Sequence, residues 1–208
     1  MVTIREEKFA DVAARETLLD QAYGAVRFTK TSERLREGRL PADGLSLVAV
    51  ERGRVVGTVR LWNVAAGPGR SAVLLGPLAV HPSERNRGIG TALTRRAIAR
   101  ARVAGYGAIL LVGDAGYYSR FGFTAAATAG LWMPGHYDRD RLLALELKSG
   151  ALTGARGMIG ATGRPVPALD LAALVAREMG RELAQDTVEA AAQSRRAPRV
   201  RARRAIAA

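Results

Sequence analysis

The chain contains one strand–helix–strand unit, and this unit constrains its fold more than any other feature of the sequence. An apolar run from Ala72 to Val80 predicts a strand. From Gly88 to Ala104 the apolar residues recur at helical spacing, and Gly105 ends that pattern. The fully apolar run Ala108 to Val112 is typical of a buried strand. Because a helical crossover joins parallel strands, the unit predicts one parallel pair.

The segments around this unit predict a mixed α/β sheet of the α+β type, mostly antiparallel, with helices on both faces. Short links that carry turn residues favour antiparallel pairing of the early strands. The other predicted elements are a strand at Val2–Glu6, helices at Phe9–Ala22 and Thr29–Glu37, strands at Leu45–Val50 and Val55–Val64, a helical turn at Tyr117–Phe121, an edge strand at Phe123–Ala127 and a last strand at Leu142–Leu147.

The composition changes after residue 149 of the 208. We therefore predict one domain over residues 1–149 and an extension over 150–208 that is rich in alanine, glycine and arginine. Within the extension, residues 169–192 predict a helix and residues 193–208 predict disorder. The last segment holds six arginines and no acidic residue, within a net charge of +13. This excess reflects either base composition and solubility or nucleic-acid and ribosome contacts through residues 195–204.

Composition also excludes several kinds of site. The chain has no cysteine and only two histidines, which rules out thiolate zinc sites, disulfides and cysteine nucleophiles, so no metal is expected. The first residues are charged and resemble no signal peptide, and no apolar run reaches the roughly 20 residues of a membrane span. The expected location is the cytoplasm.

A basic, glycine-containing loop, Arg85-Asn-Arg87-Gly88-Ile-Gly90, joins the strand to the helix. The first amides of a helix have no partner inside it, and the helix dipole is positive at that end. Because glycine has no side chain, a ligand can approach the main chain closely, and the arginines add charge. The loop therefore predicts a pyrophosphate site. It lacks the third glycine of a dinucleotide fingerprint and the Gly-Lys-Ser/Thr end of a Walker loop.

Two motifs together resemble those of one family. Residues 80–90, Val-His-Pro-Ser-Glu-Arg-Asn-Arg-Gly-Ile-Gly, resemble the acetyl-CoA-binding motif of the GCN5-related N-acetyltransferase (GNAT) superfamily. Residues 111–123, which end in Tyr117-Tyr118-Ser-Arg-Phe-Gly-Phe, are similar to the YhbS-like group of predicted acetyltransferases. The resemblance implies a sheet with a splayed parallel strand pair and transfer of an acetyl group from acetyl-CoA to a primary amine of a small molecule or peptide.

The resemblance also implies site residues. The acetyl-CoA contacts would fall on Leu78, Ala79, Val80, Arg85, Arg87, Gly88, Ile89, Gly90 and Thr91. Amides of residues 87–91 would hold the pyrophosphate, and main-chain groups of Leu78 and Val80 would bind the pantetheine arm and acetyl carbonyl. Tyr118 is the implied acid that protonates the leaving thiolate, with Tyr117 as the alternative.

Other roles stay open at this stage. For the general base we weigh Glu51 against a water relay, and for Asp114 a helix cap against a ligand contact. Acceptor-side candidates are Trp62, Trp132, His136, Tyr137 and Asp138. A regulatory domain that binds acyl-CoA without turnover is the alternative function.

Overall fold

A mixed β-sheet forms the centre of the described part of the protein. The structure is a computed structural model that describes residues 1–167, of which Met1–Val166 form one compact unit. The strands are β1 (Val2–Glu6), β2 (Ser46–Glu51), β3 (Arg54–Ala66), β4 (Ser71–Val80), β5 (Ala108–Val112), β6 (Leu131–Trp132), β7 (Leu142–Glu146) and β8 (Gly157–Ala161). The predicted helix at 169–192 and the tail at 193–208 lie outside the described residues.

The strand order β1-β2-β3-β4-β5-β7 contains a single parallel neighbour pair, β4 and β5. These two strands pair only at Val73 with Ile109 and at Leu74 with Leu110. β4 stays paired with β3 as far as Val80. The two strands therefore diverge after Leu74, and one edge of β4 is left open. This confirms the predicted mixed sheet with a splayed parallel pair.

Two helices cover opposite faces of the sheet. α1 spans Val12–Tyr23 and α2 spans Ile89–Val103. Adjacent residues of β4 fall in different clusters, with Val73 packed on the α2 side and Leu74 on the other side. This alternation is expected because successive side chains of a strand point to opposite faces. The core therefore has two layers, one on each side of the sheet.

Gly57 lets α2 lie close to the sheet. A Cβ atom at this position of β3 would lie 2.9 Å from Leu93 Cδ1 and 3.1 Å from Ile89 Cγ2. The first distance is shorter than real contacts of a Cβ atom, so a larger residue would force these two side chains of α2 to shift. The start of α2 is thus held next to the open edge of β4.

Two predicted elements differ in the structure. Residues 29–37 do not form an α-helix: within them, Thr31–Leu35 form a short 3₁₀ turn, which follows another at Ala25–Phe28. The extended backbone of Lys30 separates them, with ψ at 137°. Residues 123–127 do not form an edge strand. Only Thr124 makes an isolated bridge, because the next residues turn into a 3₁₀ helix at Ala126–Thr128.

The sheet continues past the predicted domain boundary at residue 149. β8 pairs antiparallel with the end of β3, where Val64 lies opposite Ala161, and it pairs in parallel with β6. β3 is long enough, at 13 residues, to pair with β2 along its first part and with β8 along its last part. The folded unit therefore includes residues that composition assigns to the extension.

Among residues 1–167, no helix combines the length and apolar character needed to cross a membrane.

Candidate active site

The chain turns from β4 into α2 through a loop that leaves several amides open. Asn86 and Gly88 have φ values of 63° and 77°, in the left-handed region that favours glycine. The first hydrogen bond of the helix runs from the Ala92 amide to the Gly88 carbonyl, over 3.0 Å. The amides of residues 89–91 thus have no acceptor within the helix and can bind an anion.

These amides border a groove of about 530 Å³, here called the α2 groove. Seven of the predicted coenzyme-binding residues line it: Leu78, Val80, Arg85, Gly88, Ile89, Gly90 and Thr91. Glu84, Asn86, Tyr117 and Arg120 complete the wall. A Cβ on Gly90 would lie 3.1 Å from Tyr117 Oη, so the absence of a side chain keeps the groove open.

The two predicted phosphate-binding arginines have different surroundings. Arg85 is exposed and lines the α2 groove. Arg87 lies outside it, and its two terminal nitrogens donate to the Glu51 carboxylate at 2.8 and 2.9 Å. Arg87 also donates to Glu84. Its charge is therefore balanced by two carboxylates, whereas Arg85 and Arg120 present their charges to the groove.

Ala79 is the other predicted residue that the structure keeps away from the groove. The amide of His81 donates to Val56 O of β3, and main-chain groups along a strand alternate in direction. Ala79 therefore directs its main-chain groups to β3, and its side chain packs with Leu18 of α1. Its neighbours Leu78 and Val80 have their main-chain groups at the open edge.

Leu78 lies between the α2 groove and a second, smaller cavity. The second site, here called the Tyr118 cavity, has a volume of about 110 Å³. Its wall includes Tyr23, Lys30, Arg36 and Tyr118. The Tyr23 hydroxyl donates to Leu78 O, which shows that this carbonyl points away from β3. Leu78 thus lines both sites.

Tyr118 is held by close packing. Its ring lies edge-on to Phe123, with centroids 5.7 Å apart, and a Cβ on Gly113 would lie 2.4 Å from the ring. Burial, with smaller contributions from Tyr23 and Tyr117, raises the pKa of the Tyr118 phenol. The phenol therefore keeps its proton at neutral pH and is available as a donor.

The two adjacent tyrosines lie on the walls of different sites. Tyr117 lines the α2 groove and Tyr118 lines the cavity. They lie on α3 (Ala115–Tyr118), whose first turn is capped by Asp114. The Asp114 carboxylate accepts a hydrogen bond from the Tyr117 amide over 2.6 Å. Asp114 therefore acts as the helix cap.

The residues predicted for the acceptor side line neither site. They are Trp62, Trp132, His136, Tyr137 and Asp138. Trp62 is nearly buried, and its indole donates to Gly76 O over 2.7 Å. Asp138 caps a 3₁₀ turn by accepting from the Asp140 amide. Trp62 thus supports the cavity wall through Gly76, whereas Trp132, His136 and Asp138 are exposed outside both sites.

Glu51, the carboxylate considered as a base, is engaged elsewhere. The hydrogen bonds from Arg87 lower the pKa of Glu51 to about 2. A carboxylate with so low a pKa is a poor acceptor for the proton of an amine. It also lines neither the groove nor the cavity.

Sequence reasoning missed several cations near these sites. Arg120 follows Tyr117 by three residues, a spacing that places both on one side of a helical turn, and its guanidinium lies 4.9 Å from the Tyr117 ring centroid. This spacing was an available signal. Lys30 and Arg36 reach the cavity from irregular turns, where no periodicity could have indicated them.

Comparisons with known proteins agree on one family. The family model described as an acetyltransferase (GNAT) domain matches residues 42–125. The N-acetyltransferase YhbS of Escherichia coli K12 is 30% identical over 161 residues, which cover 75% of this chain and 93% of that protein.

Solved structures extend this similarity. The E. coli YhbS crystal structure in complex with CoA has a TM-score of 0.65 and 31% identity, covering 77% of this chain and 89% of that one. A Brucella melitensis GNAT acetyltransferase in complex with acetyl-CoA has a TM-score of 0.55 and 29% identity, covering 80% and 92%.

Proposed function

The chain belongs to the GNAT family of N-acetyltransferases, and from this premise we propose that it transfers the acetyl group of acetyl-CoA to a primary amine of a small molecule or peptide. The amine nitrogen attacks the thioester carbonyl, the new N–C bond forms and the C–S bond breaks. The thiolate of CoA leaves and takes up a proton, while the amine loses one.

The single observation that carries the proposal is the α2 groove with its open amides. Pyrophosphate oxygens would accept hydrogen bonds from amides of residues 89–91, where the helix dipole is positive. Arg85 and Arg120 add two charges at the same wall. The YhbS and B. melitensis relatives were crystallised with CoA and acetyl-CoA, which supports the same occupant here.

The open edge of β4 suits the rest of the coenzyme. After Leu74 this strand has no partner on the β5 side, so main-chain groups of Leu78 and Val80 are available to amides of the pantetheine arm. The Val80 amide would polarise the acetyl carbonyl and stabilise the oxyanion that forms during attack. In this arrangement the thioester would lie near Leu78, which also lines the Tyr118 cavity.

Tyr118 would protonate the leaving thiolate from the cavity side. Its raised pKa keeps the phenol protonated, and a thiol has a reference pKa of about 8.5. Because Arg87 engages Glu51, we assign the removal of the amine proton to water in the cavity rather than to that carboxylate. Tyr117 faces the coenzyme instead of the reacting atoms.

The test follows the release of free thiol when the full chain is mixed with acetyl-CoA and a panel of primary amines. We expect amine-dependent release. Because a positioned acid contributes about 10²-fold or more, Tyr118→Phe should lower kcat by at least about 100-fold and leave CoA binding intact. Tyr117→Phe is the matched control, and we expect it to retain most of kcat.

Two outcomes would contradict the proposal. Tight CoA binding without release for any amine would favour the alternative, a domain that binds acyl-CoA without turnover. A larger loss of kcat in Tyr117→Phe than in Tyr118→Phe would reassign the acid.

A further inference from the structure

The Tyr118 cavity lies next to the α2 groove. Leu78 borders both, so an acceptor in the cavity would meet the thioester at the open edge of β4. Its volume is about 110 Å³, against about 530 Å³ for the groove. The chemistry of the wall therefore bears directly on which amine can enter.

Cationic side chains dominate this wall. Arg27, Lys30 and Arg36 line it, against one carboxylate, that of Glu33. Arg27 is already balanced from outside the cavity, because it lies 2.6 Å from Glu16 and 3.0 Å from Asp20. Lys30 and Arg36 are the other two cations of the wall.

Arg36 has a donor that its own fold does not use. The side chain is only 6% exposed and pairs through Nη2 with Glu33 at 2.7 Å. Its Nε donates to Ser32 O. Among residues 1–167, Nη1 has no hydrogen-bond acceptor, and it lies 4.0 Å from where a Cβ of Gly76 would be. Arg36 and Gly76 both line the cavity, so this donor is available to a ligand or water there.

Lys30 carries the second available charge. Within the described residues, no carboxylate lies within 4.0 Å of its ammonium group, which sits 4.3 Å from the Tyr23 ring centroid. Burial, with the neighbouring charges of Arg36 and Arg141, lowers the pKa of Lys30. Among the described residues, Lys30 is therefore the cation of the cavity wall that no carboxylate pairs with, and Arg36 adds a donor beside it while it pairs with Glu33.

We propose that the Tyr118 cavity selects acceptor amines that carry a carboxylate, which binds Lys30 Nζ and Arg36 Nη1 while the amine faces Leu78 and Tyr118. Charge-assisted hydrogen bonds from two cations suit a planar monoanion. A neutral amine would leave both donors unpaired in the occupied cavity. This inference rests on the proposed function, since it names the substrate class of that reaction.

Binding of a product-like pair tests the inference without relying on turnover. Calorimetry on the full chain with CoA would compare N-acetylalanine with N-acetylalaninamide, which differ in the carboxylate. We expect the carboxylate to bind at least tenfold more tightly. Lys30→Met should weaken carboxylate binding about tenfold and leave amide binding unchanged. Lys8→Met, the same change at an exposed lysine that does not line the cavity, is the control.

The possible outcomes distinguish a failure of this inference from a failure of the proposed function. Equal binding of acid and amide, or no binding of either, would overturn it even if neutral amines release thiol normally. Acetylation of alaninamide at the rate of alanine would do the same. Tighter binding of aminomethylphosphonate than of glycine would also overturn it, because the cavity would then prefer a dianionic group to a carboxylate. Failure of CoA itself to bind would instead overturn the proposed function. Unfolding curves of both variants check that the fold is retained.

Discussion

The α2 groove and the Tyr118 cavity meet at Leu78 but are built from different parts of the chain. The groove is formed largely by one short stretch, residues 78–91, with Tyr117 of α3 and Arg120 of the turn that follows it. The cavity is formed by side chains from four separate stretches that include Tyr23, Arg36, Leu78 and Tyr118. A site made of main-chain groups keeps the same ligand when side chains are substituted. A site made of side chains can change its ligand by a single substitution.

The largest effect is expected from filling the main-chain site. Gly90→Val would place methyl groups between Tyr117 Oη and Val80 Cγ2, which lie 3.1 and 3.6 Å from the position of the new Cβ. We expect the Kd for CoA to rise about 100-fold, or about 2.7 kcal/mol. Calorimetry measures it.

Ala92→Val is the control, because it introduces the same residue on the exposed side of the same helix. Unchanged CoA affinity in Gly90→Val would show that the coenzyme does not lie along this part of the groove.

A smaller effect is expected from Arg85, the arginine of the loop that lines the groove. Arg85 presents its charge to the groove, so Arg85→Met should weaken CoA binding about fivefold and reduce its dependence on salt, as expected for an exposed charge. Binding titrations at low and high ionic strength would show both changes.

Arg95→Met removes an exposed arginine of α2 that does not line the groove and should leave the affinity as it is. A salt dependence that Arg85→Met does not alter would mean that main-chain amides alone account for phosphate binding.

The smallest effect concerns the pH dependence of kcat, and it depends on the burial of the Tyr118 phenol. Because burial raises the pKa of Tyr118, the phenol should not ionise near its reference pKa of about 10. We expect kcat, followed by thiol release, to show no loss that tracks a phenol between about pH 8 and pH 10.

The same shift affects stability. The unfolded chain releases this proton near pH 10 while the folded protein retains it, so the free energy of unfolding should fall as the pH rises above about 10. A fall in kcat with an apparent pKa of about 10 in the wild type, absent in Tyr118→Phe, would show that burial does not raise the pKa of the Tyr118 phenol.

The sequence predicted the parts of the molecule that depend on local patterns. The bounds predicted for β5, Ala108 to Val112, agree with the structure, and the helical spacing after Gly88 corresponds to α2. The open amides at its start follow from the same local pattern, since any helix that begins there leaves them without partners.

Long-range pairing accounts for what the sequence did not show. Arg85 and Arg87 look alike in the loop, and only the fold brings Glu51 next to one of them. Leu78 and Ala79 are adjacent apolar residues, and only the pairing with β3 separates their roles. β8 contains two glycines in five residues, a weak strand signal, and its pairing with β3 and β6 is what makes it a strand.

The place of β8 has a practical consequence for work with shortened forms of the protein. Trimming the chain at residue 149, where the composition changes, would remove β8 and expose the hydrogen-bonding edge of β3 from Val64 to Ala66. Bare edges of this kind invite pairing between molecules and lead to aggregation. Crystallisation or assay work that begins from a trimmed protein should therefore retain everything up to Val166, the last residue of the compact unit.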